Sequence, residues 1–235
     1  MSLNLDRRRR RGSSVVVIIP DEPVIETFAL TTTDADVSSI AVAKPTGVSV
    51  GDLLIIAAGS DDSTSTNQFA DDVTGWTFIG TDGTSSSDVH VGAWWRIADG
   101  TEPATTTITP TTTDTLAAYY FRISNAHGTA PITNNQVSNG STNLTLSSGS
   151  TAVDDQLLLI VAFHDGNDGV TFNINNSFVE GDSFDDASSA GAGLSGVFAS
   201  LVVPTGGTNE GITTLSGASG DGMAGIRMSI KPPTP

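Results

Sequence analysis

The chain has 235 residues, no cysteine, and 26 acidic against 10 basic residues, for a net charge of −16. Without cysteine it has neither a disulfide framework nor a thiolate metal site. Its longest apolar runs, Leu53 to Ala58 and Leu157 to Phe163, fall well short of the roughly 18 to 20 residues of a helical membrane span.

Half of the basic residues sit together at Arg7, Arg8, Arg9, Arg10 and Arg11. From Gly12 onward there are 5 basic and 25 acidic residues, so a positive arm precedes a strongly negative body. Gly12-Ser13-Ser14 forms a flexible hinge to a short β-branched strand, Val15 to Ile19. Such a segment can add to the edge of another sheet, with Val15, Val17 and Ile19 as its contacts. Each exposed arginine–carboxylate pair contributes only about 0.2–1 kcal/mol, but five act together. A basic arm can bind nucleic acid, serve only as a solubility tag, or dock on an acidic protein surface such as a neighbouring copy, and the adjoining strand favours the last for residues 1–23. The acidic body is expected to repel nucleic acid, because phosphate contacts need positive charge. Too few apolar residues precede Pro20 for a signal-peptide core, so a soluble protein not secreted by that route is expected.

The body is rich in Thr, Ser, Gly, Asp and Asn, which disfavours helices and suits strands with tight turns. Strands are predicted at Thr27–Leu30, Ser38–Ala43, Asp52–Ala58, Trp76–Gly80, Val89–Ile97, Thr105–Thr109 and Leu116–Ser124. Further strands are predicted at Ile132–Val137, Asn143–Leu146, Gln156–Phe163, Val170–Ile174, Leu194–Val203, Gly211–Leu215 and Met223–Lys231. The runs LLIIAA and LLLIVAF are apolar on both faces, as central strands covered on both sides would be. The expected fold is an all-β antiparallel sandwich, jelly-roll-like, with an extended N-terminal arm.

A weak internal repeat runs through the body. Residues 51–62 echo 154–168, residues 90–100 echo 195–207, and 119–124 echo 224–230, with Arg122 matched to Arg227. The order is kept and the offsets stay within 103 to 105 residues. Residues 24–235 are read as one sandwich with two pseudo-repeat halves, about 24–130 and 131–235. Two small sandwiches in tandem are the other reading.

The chemical motifs point away from catalysis. Gly47-Val48-Ser49-Val50-Gly51 has the spacing of a nucleophile elbow, but a strand follows where that motif needs a helix. Gly191 to Gly196 has dinucleotide-loop spacing and also runs into a strand. Asp165 and Asp168 offer oxygen ligands for calcium, yet an EF-hand would need Asp or Asn at Gly169 and Glu at Asn176. Turn chemistry is the simpler role for them. His90, His127 and His164 lie in unrelated contexts without metal spacing. No cofactor is expected. Trp94 and Trp95 must point to opposite faces of one strand. One is expected in the core, and Trp94 is the candidate for an exposed contact with a sugar or a neighbouring subunit.

The stretches VSVGDLLIIAA, GWTFIG, VGAWWRIADGTEP, TTTITP and AAYYFRISNA resemble a pattern common in β-sandwich structural proteins of tailed bacteriophages. The resemblance covers about residues 45–130, with a weaker echo through 230. It implies a virion protein without catalytic residues, made in the bacterial cytoplasm and carried on the outer surface of the particle. Its expected partners are other capsid or tail subunits, and a homo-oligomer is expected. A head decoration or cement protein fits the compact acidic body and the basic arm. The alternative is a receptor- or carbohydrate-binding tail-fibre module.

Overall fold

A computed structural model describes residues 22–61, 68–69, 73–81, 89–140, 143–146, 153–166, 173–174, 177–185, 193–206, 213–216 and 222–234. The first half contains β1 (Val24–Thr32), β2 (Ile40–Ala43), β3 (Leu53–Asp61), β4 (Thr77–Thr81), β5 (Val89–Ile97), β6 (Thr105–Ile108) and β7 (Thr115–Ser124). The second contains β8 (Ile132–Gly140), β9 (Asn143–Leu146), β10 (Gln156–Asp165), β11 (Asn173–Ile174), β12 (Val179–Phe184), β13 (Leu194–Val203), β14 (Thr213–Ser216) and β15 (Met223–Ile230). All pairings among these strands are antiparallel, and no helix occurs among the described residues.

Each half builds one five-stranded sheet, ordered β1-β7-β3-β5-β4 in the first and β8-β15-β10-β13-β12 in the second. The orders are the same once β3 is matched to β10, β5 to β13 and β7 to β15. The pairs β2–β6 and β9–β14 form small separate sheets at matching places in the chain, and β11 extends the second of these. In the first half β1 pairs with β7, β2 with β6 and β3 with β5. These nested pairs are those of a long hairpin rolled on itself. The strand counts differ from a jelly roll's eight strands in two sheets.

The layers follow from strand alternation. Leu53, Ile55 and Ala57 of β3 enter a core shared with Leu157, Leu159, Val161 and Phe163 of β10, between the two large sheets. Leu54, Ile56 and Ala58 point the other way, into a second core closed by Ile40, Val42 and Ile108 of the small sheet. Leu144 and Leu146 of β9 close a third core over Ile160 and Ala162. The small sheets thus cap the outer faces of the large ones, which is why the two central strands are apolar on both faces.

The register corrects one part of the repeat. Ile56 lies beside Tyr120, whereas Ile160, its counterpart, lies beside Arg227. Arg227 therefore takes the place of Tyr120, and its match to Arg122 slips by two residues. A two-residue slip keeps the same face of the strand, so the apolar pattern does not reveal it.

Tyr119 and Tyr120 are both buried in this framework. Burial pushes the Tyr120 phenol up to about 12, with the Glu102 carboxylate adding to the shift against a hydrogen bond from Thr106. Burial raises Tyr119 further, helped by Asp182 and then Glu180. The unfolded phenol titrates near 10. Their contribution to stability is therefore full below about pH 10 and is lost as pH rises through the folded values. Urea midpoints should fall steeply above pH 10, and Tyr120→Phe should flatten part of that fall.

Candidate functional site

The residues of the stretches VSVGDLL, RIADGTEP and YYFRIS meet in space, and what they hold together is backbone. Asp52, at the entry to β3, accepts the Ser49 amide at 2.8 Å and the Arg122 Nε of β7 at 2.6 Å. Gly47 and Gly51 take positive φ values of 74° and 95° in the same turn, which is available to glycine at little cost. Ser49 is thus part of a capped turn into a strand. After β5, Glu102 accepts the amides of Asp99 at 2.6 Å and Gly100 at 3.2 Å. Arg96 bridges Asp99 at 3.1 Å and Glu102 at 3.3 Å. Hydrogen bonds from Thr101 hold the exposed Asp99 carboxyl below its ordinary value. Asp52→Ala should lower stability by about 1.5–3 kcal/mol, the range for hydrogen bonds to charged groups, read as a shift in urea midpoint.

The other sequence candidates fare differently. Arg7 to Arg11, Val15, Val17 and Ile19 lie outside the described residues, as does Asp168. Asp165 closes β10, with its amide donating to Gly222 O at 2.9 Å. Among the described residues no group of three or more His, Cys, Asp or Glu could hold a metal ion. Trp94 is a correction: it is 1% exposed. Its ring packs edge-on against Phe69 with centroids 5.8 Å apart and lies 5.9 Å from Phe78. The small sheet and Phe69 cover the face on which a sugar would have stacked. Trp95 points to the central core instead.

The histidines are also placed in a way their local sequence does not suggest. His90 lies opposite Ser60, and His164 lies opposite Ser195, all four buried. The two pairs occupy matching positions in the two sheets with the residue types exchanged. Ser195 Oγ reaches Gly166 O at 3.0 Å and Asp185 Oδ1 at 3.2 Å, so its proton has partners other than His164.

One feature that opens to solvent is a groove where the two large sheets meet at one edge. Ile25, Glu26, Thr27 and Phe28 of β1 line one side, and Gly181, Phe198 and Ser200 of β12 and β13 line the other. Its volume is about 490 Å³. Both β1 and β12 are edge strands, and both are bulged here, at Glu26 and at Gly181. Phe28 is 38% exposed, yet its ring lies 4.9 Å from Phe198 and 6.2 Å from Tyr119. A Cβ at Gly181 would fall 2.0 Å from the Phe198 ring, so the small residue lets that ring form the floor. Glu26, Glu180 and Asp182 carry negative charge on the two strands, and the lining includes no Lys or Arg.

The equivalent junction on the opposite edge is closed. There β4 and β8 touch: Asn135 Nδ2 donates to Ile79 O at 2.9 Å, and Gly80 packs against Val137. The fold repeats, but one of its two edge junctions is left open. Sequence reasoning missed this groove because β12, with the sequence VEGDSF, carries no apolar alternation. The chain matches no family model, no curated protein and no solved structure.

Proposed function

We propose that the protein is a non-enzymatic structural component of a tailed-phage virion, a decoration protein that docks on the outside of the head partly through its N-terminal arm. The observation that carries this reading is the groove. Two bulged edge strands frame an apolar floor and an acidic rim, the surface complementary to a basic, strand-forming segment. Such a segment, Arg7 to Ile19, precedes β1 in the same chain. Sheet edges accept added strands through main-chain hydrogen bonds, and unlike charges guide the approach. The phage-like residues support the reading in a second way, because Asp52, Arg122, Arg96 and Glu102 fix turns of a rigid scaffold. The carbohydrate-binding alternative asked for Trp94 at the surface, and Trp94 is core.

The test is cosedimentation with purified heads that lack the protein, at low and high salt. Intact protein should pellet with the heads at low salt, and a form lacking residues 1–14 should not. If neither form pellets at low salt, head decoration is wrong, and a glycan array on the intact chain becomes the next measurement.

A further inference from the structure

We propose that the groove between β1 and β12 receives residues Arg7 to Ile19 of a second copy of the chain, so that copies join by exchanging arms. This rests on the docking role proposed for the arm and adds a second copy of the chain as a further partner of it, and it can be tested on the protein alone.

Three observations lead there. The first is the broken symmetry of the fold. The β4–β8 junction is sealed by Asn135 and Val137, while its counterpart at β1 and β12 leaves Phe28 partly exposed over the Phe198 ring. An open apolar floor of this size, beside two strand edges that pair with nothing among the described residues, is a surface that another strand can cover. Val179 of β12, outside the lining of the groove, is a further exposed apolar side chain, at 69%.

The second is charge. Glu26 and Glu180 are exposed beside the groove, and Asp182 is half-buried on the same strand as Glu180. Most basic side chains of the described body are already engaged: Arg96 and Arg122 in ion pairs, Lys44 on Glu102 O, and Arg227 in the core. The five arginines of the arm are the chain's own concentrated source of positive charge. The arm's order also fits: a charged block for the rim, a three-residue hinge, then an apolar strand for the floor.

The third concerns reach. Val15 to Ile19 is joined to β1 through Pro20-Asp21-Glu22-Pro23. Each proline fixes its own φ and biases the residue before it toward extended conformations. Negative φ at Pro20 excludes a primed two-residue turn with Pro20 at its first central position. The arm precedes β1, whose Ile25 helps to line the groove, so a two-fold-related copy would present the same edge to it.

The absence of cysteine makes a clean test available. Val17→Cys and Ser200→Cys chains, and Val17→Cys and Thr27→Cys chains, are purified separately, mixed and oxidised. Expected is a mixed two-chain product in at least one pairing, lost when Arg7 to Arg11 are all replaced by serine. Light scattering should show the full chain as a dimer or larger, and a form lacking residues 1–19 as a monomer. A monomeric full chain overturns the proposal. So does a dimer that survives removal of residues 1–19, and so does a V17C/S200C double variant that closes within its own chain. Absence of a mixed product in both pairings overturns the groove as the receiving surface. Each of these results is independent of whether the protein binds phage heads.

Discussion

Phe163→Ala should lower the stability of the whole molecule by about 3–5 kcal/mol, the cost of removing a buried aromatic ring from a packed core. Phe163 belongs to β10 in the second sheet and is fully buried. Its ring crosses the interface between the sheets. A Cβ at Gly59 of β3 would stand 2.3 Å from the Phe163 Cγ, so the ring lies directly on the backbone of the first sheet. It also contacts the rings of Tyr119 and Phe184, with centroids 6.3 and 6.5 Å away. All three tryptophans, Trp76, Trp94 and Trp95, lie in the first half, so tryptophan fluorescence reports on that half alone. If the halves unfold together, the Phe163→Ala transition seen by fluorescence shifts by the full amount. A shift seen only by circular dichroism would mean that the halves unfold separately. Gly59→Ala gives a second reading of the same contact. Alone it should cost about 1–3 kcal/mol through overpacking. Combined with Phe163→Ala it should cost much less, because the ring that the new methyl would strike is gone, and the cycle measures that coupling.

How much of this could be read in the chain depended on where each strand sits. Val89–Ile97, Asn143–Leu146 and Leu194–Val203 have the predicted bounds, because their buried apolar residues mark where each strand runs between packed layers. The repeat was visible in β3, β5 and β7 and their partners, the central strands of each sheet. It was invisible in the edge strands, where one side meets solvent and the apolar signature is diluted. VEGDSF shows the extreme case: its place in the sheet comes from pairing with β13 and from a glycine over Phe198, neither of which is a local signal. The same limit hid the Asp52–Arg122 pair. Both residues stood within the quoted patterns, but only the β3–β7 register brings them together across 70 positions. The groove was the least legible feature, because it arises from a difference between two edges of a repeated fold.

Trp94→Ala should be the other severe change, at about 3–5 kcal/mol, and its severity separates two ideas about the protein. Alternation placed Trp94 and Trp95 on opposite faces, and it could not say that both faces are covered. The second layer does that. Phe69, Phe78 and the β2–β6 pair close over Trp94 and leave it 1% exposed. A tryptophan acting as a surface platform for a sugar would lose binding on truncation and change stability by less than about 0.5 kcal/mol, as surface substitutions do. A core tryptophan does the reverse, and the damage registers as a lower urea midpoint before any ligand is added. Trp94→Phe refines the test. The indole Nε1 is buried with no hydrogen-bond partner among the described residues, so phenylalanine removes an unsatisfied donor along with part of the ring. Its cost should therefore be well below that of alanine. Near-equal losses for the two variants would mean that the indole N–H has a partner, and that the outer layer over β5 is arranged differently.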